Sequence, residues 1–297
     1  MSESKYFLDG RLYESVIVNK SSKFLTIDTI ENSANNNDEN DGRSNEKSDN
    51  NNNIQFKLVD KIEVPYYTFC PVDSLVTHNP IPYSFESEYE LRKYIELAKK
   101  ETFDSLFQQI LEQKRNYVNI DEHVLVILAA DILYSYFQEK FGATHYNLFI
   151  GENGSGKNSA LLFFKMLGYR VFYVTAASAA NYYTFLGEIQ EGQGTIAEDE
   201  ADDIGYNKDK QRILKTGYAS GGNVPKVEFS KNGNTRSQVS YLTFCHKWLA
   251  MEELPDEKKI RGILDRSFIF KFIMDDVKYN IKYKMIEIQI NINNLFT

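Results

Sequence analysis

Gly151-Glu152-Asn153-Gly154-Ser155-Gly156-Lys157-Asn158 puts three glycines and a lysine within eight residues. Glycine lets a backbone turn tightly and bring successive N–H groups up to an oxyanion. A lysine closing such a turn is a mobile point charge for a phosphate chain. The spacing fits the phosphate-loop pattern G-x-x-x-x-G-K-[ST] at every position but the last, where Asn158 replaces the hydroxyl that ordinarily ligates Mg2+. An amide oxygen is also a hard ligand, but it sits one atom further out, and Ser159 points elsewhere on a helix. Residues 151–159 are therefore expected to bind ATP, with a variant metal position at Asn158.

A phosphate loop that hydrolyses needs carboxylates delivered by a second strand. Asp199 and Glu200, in "GTIAEDEADDI", lie 42 and 43 residues after Lys157, room enough for a helix, a strand and a helix. In that arrangement Asp199 serves Mg2+ and Glu200 polarises the attacking water. The competing explanation is an acidic surface loop, because Glu198, Asp202 and Asp203 crowd the same stretch. The letters "DEAD" do not signify a DEAD-box helicase, whose partner motifs are missing.

These residues need a scaffold that alternates strand and helix. Tyr146–Ile150 is a strand candidate, and a helix is expected from Lys157 to about Leu167. "YRVFYVT" is the next strand, "AASAANYYTFLGEIQ" a helix, "GTIAEDEAD" a strand, and "NKDKQRILKTGY" a helix closed by Gly217. Such alternation predicts a parallel sheet with crossover helices. Further on, "YLTFCHKWLA" is expected to be a strand with a polar end, and "SFIFKFI" a last strand preceded by Asp265-Arg266. Strand-like runs flank Asn232-Gly233, a strong hairpin signal. Lys208, Lys210, Arg212, Lys215, Lys226, Lys231, Arg236 and Lys247 face only Asp209 and Glu228 in this region, so basic charge is local in a chain of net charge -8.

The rest of the 297 residues divides by composition. Residues 1–83 are β-leaning, interrupted at 33–53 by a tract with nine asparagines that cannot bury enough apolar surface to offset its ordering entropy. The runs on either side of that tract are candidates to pair as a long-looped hairpin. Residues 84–141 read as helical, 142–275 as the nucleotide-binding core and 276–297 as a tail. A pI near 5.2 argues against a globally basic nucleic-acid coat. Cys70 and Cys245 have no CxxC spacing and no HExxH is present, so no zinc site is expected. The polar start and the lack of a long apolar run lead to the expectation of a cytoplasmic protein with no membrane partner.

From Tyr117 to Phe272 the segments "GENGSGKNSALL", "GTIAEDEAD", "LKTGYASGGNVPK" and "DRSFIFKF" resemble archaeal P-loop ATPases of the AAA+/helicase-like type, superfamily three-like and primase-helicase-associated. The resemblance implies an α/β P-loop NTPase core of the additional-strand (ASCE) class, here following a β-rich N-terminal module and a helical bridge. It implies a polar sensor on the "TFCHK" strand, matched by His246 or Lys247, with Thr243 as a further match. It implies for Arg266 a sensor role, or a finger into a neighbouring subunit of a homo-oligomeric ring. It also implies that the hairpin 224–241 touches single-stranded or duplex DNA, with Lys231 and Arg236 on the backbone. The expected function is ATP-driven work on DNA, of a helicase or replication-associated kind. The alternative is a nucleotide-gated scaffold with little hydrolysis and no nucleic-acid activity.

Overall fold

A computed structural model describes residues 2–3, 5–28, 55–72, 83–229 and 236–273. The asparagine-rich tract 33–53, the hairpin tip with Lys231 and the tail 276–297 lie outside the described residues.

The N-terminal part is β-rich. It comprises β1 (Ser2–Glu3), β2 (Lys5–Leu8), β3 (Arg11–Val18), β4 (Ser21–Asp28), β5 (Gln55–Val59), β6 (Ile62–Val64), β7 (Tyr67–Pro71) and β8 (Ser84–Phe85). Strands β2-β3-β4-β5 form an antiparallel sheet, with β8 parallel to β3, and β1-β7-β6 form a second sheet. The pairing of β4 with β5 joins the two runs that flank the asparagine tract, Phe24 opposite Val59. Alternation along the strands splits the apolar residues between two faces. Val16 and Val18 pack with Phe85, Leu91 and Ile95, while Phe24 packs with Ile62 and Phe69.

Three helices follow: α1 (Glu88–Ala98), α2 (Phe103–Tyr117) and α3 (Glu122–Ser135). Each begins at a side-chain cap that satisfies an otherwise orphaned N–H: Ser87 Oγ for Glu90, Thr102 Oγ1 for Ser105, and Asp121 for His123. Helix α1 packs on the N-terminal sheet, whereas α2 and α3 pack on the sheet described next.

That sheet has five parallel strands: β9 (Tyr146–Ile150), β10 (Val171–Thr175), β11 (Thr195–Asp199), β14 (Lys247–Met251) and β15 (Ser267–Lys271), in the order β10-β11-β14-β9-β15. Helices α4 (Lys157–Leu167), α5 (Ala179–Glu188), α6 (Lys208–Thr216) and α7 (Glu257–Leu264) connect them, with the antiparallel pair β12 (Asn223–Phe229) and β13 (Arg236–Leu242) inserted after α6. Phe149, Trp248 and Phe270 point to the face covered by α2, α3 and α4; Tyr146, Leu148 and Leu249 point to the face covered by α6 and α7. Burying each of these side chains contributes roughly 1.5–3 kcal/mol. Strand β14 starts and ends later than the run "YLTFCHKWLA", because Tyr241-Leu242 belong to β13. Among the described residues no helix is long and apolar enough to cross a membrane.

Two groups of buried charges hold the layers together. Arg170, fully buried before β10, donates to Glu14 Oε1 at 2.9 Å and to the Ser15 carbonyl at 3.2 Å. Lys5 donates to Glu139 at 3.0 Å and to the Tyr136 carbonyl at 2.9 Å. These contacts tie the N-terminal sheet to the edge where β10 and β11 begin.

Lys114, on α2, differs. It is fully buried, its ammonium has no hydrogen-bond acceptor among the described residues, and it lies 5.0 Å and 5.3 Å from the Trp248 and Phe163 ring centres. Burial pulls it down to about 7, against an opposing pull from Asp131. The unfolded chain therefore holds the extra proton from about pH 7 to about pH 10, so stability rises with pH across that window and is lowest below it. Lys114→Met is expected to stabilise the fold by on the order of 3 kcal/mol near pH 6 and by progressively less toward pH 10. Urea denaturation at the two pH values checks this; a variant no more stable at either one contradicts it.

Candidate functional site

Because the five strands are parallel, their C-terminal ends share one edge, the edge at which open α/β sheets bind ligands. Residues 151–156 leave β9 there and turn into α4. Gly154 and Gly156 have φ of 85° and 99°, in the left-handed region that side chains disfavour. Gly151 is held for another reason: a Cβ there would meet the Phe272 carbonyl oxygen at 2.3 Å. Phe272 itself donates its N–H to the Ile150 carbonyl at 2.7 Å. Helix α4 opens on Gly156, which offers no side-chain cap, so no cap side chain satisfies its first-turn N–H groups. Lys157 is buried, and its ammonium donates to the carbonyls of Gly151 and, at 2.9 Å, Glu152. Ser155 Oγ is buried without a hydrogen-bond partner among the described residues.

Strand β11 brings its acidic end to the same edge. Asp199 is buried and accepts the Glu200 N–H at 3.1 Å, while Glu200 is exposed, with φ of 56°. A cavity of about 300 Å³ lies between these elements, bounded by the loop, Asn158, Ser159, Asp199, Glu200, Asp202 and Glu252. The expected loop residues from Asn153 to Ser159 and the expected pair Asp199–Glu200 therefore meet around one space.

Glu252 was not expected there. It follows the last residue of β14, and Met251 is in register with Ile150, so Glu252 emerges beside the loop. Its carboxylate accepts from Asn153 Nδ2, and its N–H donates to Asp202 Oδ1 at 2.9 Å. The available signal was the apolar run Trp248–Met251 followed by two glutamates. In a parallel strand, the C-terminal end of such a run and the residue just after it reach this edge.

The expected sensors lie at the opposite edge, which corrects that assignment. Lys247 opens β14, in register with Tyr146 and Ile196. At ~3.3 Å per residue, the four residues to Met251 separate it from the loop edge by about 13 Å. It is fully buried and donates to the carbonyls of Thr243 at 3.1 Å and Cys245 at 2.8 Å. Thr243 Oγ1 donates to the Gly222 carbonyl at 3.1 Å and pairs with Thr216 Oγ1 at 2.8 Å. Trp248 Nε1 donates to His246 Nε2 at 2.7 Å, and burial pulls this imidazole down to about 4. Arg266 is at the far edge too: it precedes β15, donates to the Lys215 carbonyl at 2.9 Å and lies 3.6 Å over the Tyr218 ring. The polar residues in "TFCHK" come before the apolar run, so strand direction carries them away from the loop.

Asp131, His145 and His246 approach one another closely enough to hold a metal. Their hydrogen bonds oppose it. The Trp248 indole is a donor only, so His246 Nε2 accepts and the proton sits on Nδ1, 2.9 Å from the His145 carbonyl. Both nitrogens of His246 are thus engaged. Burial favours the neutral form of Asp131, but hydrogen bonds from His145 and Asn147 and the nearby imidazoles outweigh it and hold the carboxyl below its usual range.

Strands β12 and β13 pair in antiparallel register from Asn223–Leu242 to Phe229–Arg236. Arg236 is exposed at the distal end; Lys231 lies outside the described residues. Two of the eight basic residues in this region, Lys210 and Lys247, are fully buried, and Arg212 pairs with Asp209 at 3.3 Å. The basic surface is correspondingly smaller than its residue count.

Comparison with protein-family models and with curated proteins finds no match for this chain.

Proposed function

We propose that the chain binds ATP with Mg2+ at residues 151–159 and hydrolyses it, as an additional-strand P-loop NTPase of the AAA+-like class. The observation that carries this reading is the meeting of a lysine-closed glycine loop, an uncapped helix start and the Asp199–Glu200 strand end around one cavity. The interposition of β14 between β9 and β11 supports the additional-strand assignment.

The residues divide the work. The first-turn N–H groups of α4 and the Lys157 ammonium bind the phosphate oxygens, with the orphaned Ser155 hydroxyl a further donor. Asp199 and the Asn158 amide oxygen would hold Mg2+, which screens phosphate charge when bound. Glu200, exposed on the cavity wall, accepts a proton from water as its oxygen attacks the terminal phosphorus and the bond to the diphosphate breaks. Asp202 and Glu252 add negative charge to the same wall, which favours metal-bound over metal-free nucleotide.

DNA coupling rests on the hairpin alone, through Lys231 and Arg236 acting on phosphates. A role for Arg266 in hydrolysis requires a neighbouring copy, because its own loop is at the other edge. A cytoplasmic setting suits the two free thiols, Cys70 and Cys245. Asn158 favours one second reading, a nucleotide-gated scaffold with slow turnover.

Phosphate release with and without single-stranded DNA, alongside calorimetry with Mg-ATP, tests these readings. Micromolar-range binding with DNA-stimulated, salt-sensitive turnover is expected. Binding without turnover selects the scaffold. No binding at all removes both.

A further inference from the structure

Alternation along β11 puts Glu198 on the face opposite to Asp199, and Glu198 is fully buried there. Its Oε1 accepts from Lys210 Nζ at 2.6 Å and from the Ala177 N–H at 2.8 Å, and its Oε2 accepts from the Tyr182 hydroxyl at 2.6 Å. Lys210, also fully buried on α6, donates at the same time to Asp203 Oδ1. Asp203 Oδ2 accepts from Asn207 Nδ2 at 2.8 Å. One ammonium thus joins the last residues of β11 to the turn that follows it.

Between the two clamped carboxylates lie only Asp199, Glu200, Ala201 and Asp202. Glu200 and Asp202 face the cavity, and Asp202 also receives the Glu252 N–H. Fixing residues 198 and 203 therefore fixes the path of the segment that carries Glu200. An ion pair buried this completely is a poor source of stability, because desolvating both charges offsets their attraction and a packed apolar pair serves as well. What an apolar pair would not supply is a directed bond to Asp203, within the turn itself.

We propose that Lys210 is a positioning residue for hydrolysis, setting the place of the Glu200 carboxylate by bracing the turn 200–203 against β11. This rests on the hydrolytic reading of the site. Lys210 touches no substrate; its effect passes through Asp203 and the backbone.

Asp203→Ala is the test, because it removes the brace to the turn and leaves the Glu198–Lys210 pair intact; Asp203 is only partly buried. Turnover is expected to fall about tenfold, with Mg-ATP affinity within about twofold and the thermal midpoint close to wild type. Asp203→Asn keeps an acceptor for Lys210 and is expected to recover most of the turnover. Tyr182→Phe removes a bond to Glu198 away from the turn and is expected to leave turnover unchanged. Wild-type turnover in Asp203→Ala overturns the proposal, as does a fall in affinity and midpoint matching the fall in turnover, which would mark a merely structural role. Wild type that binds nucleotide without turning it over, or does not bind it, defeats the hydrolytic reading itself, and calorimetry on wild type separates that failure from the others.

Discussion

Lys157→Ala is expected to weaken Mg-ATP binding by roughly a hundredfold, equivalent to about 2.7 kcal/mol. The ammonium is buried at the start of α4, against the carbonyls of Gly151 and Glu152. A phosphate entering the loop offers it stronger, charge-assisted partners than neutral carbonyls do. Alanine keeps the helix propensity and the glycine turn, so the fold survives while the one positive charge that the described residues bring to this carboxylate-lined wall is lost. Isothermal titration of both proteins decides the matter. Equal affinities would mean that nucleotide, if bound, sits elsewhere.

Glu200→Gln is expected to lower turnover by roughly 10²–10⁴-fold, the range for removing a general base. Nucleotide affinity should hold or improve, because one negative charge leaves the wall. The substitution isolates the carboxylate well. Glutamine has the same length, and it inherits the same left-handed backbone, φ 56°, so any conformational cost at this position is common to both proteins. Single-turnover phosphate release with saturating Mg-ATP is the measurement. If the variant hydrolyses as fast as wild type, the acidic edge is only a solvated surface.

The elements around the loop were legible because each carries its own punctuation. The glycines set the start of α4 at Lys157, Gly217 closes α6, and apolar runs of strand length mark β9, β10 and β11. Strands β4 and β5 were legible across a long insertion because their alternation matches on both sides. Buried charge was not. Lys210 and Lys247 look in one dimension like the solvated lysines around them, and only packing reveals that carboxylates and carbonyls neutralise them. Lys114 hides in the same way within an amphipathic helix. Strand polarity was the other gap: the boundaries of β14 depend on where β13 ends, a tertiary fact, and a shift of a few residues carried the expected sensors to the wrong edge and concealed Glu252.

The glycine at 151 owes its identity to the Phe272 carbonyl, and those at 154 and 156 to their positive φ. All three are therefore required by the backbone itself, whether or not a nucleotide is ever bound. Lys157 differs: an alanine would fill its backbone position, at the loss of the ammonium's bonds to the Gly151 and Glu152 carbonyls. The lysine could be exchanged and the turn kept, but the glycines could not. The shape of the loop and its charge are thus separable, and only the charge speaks to a ligand.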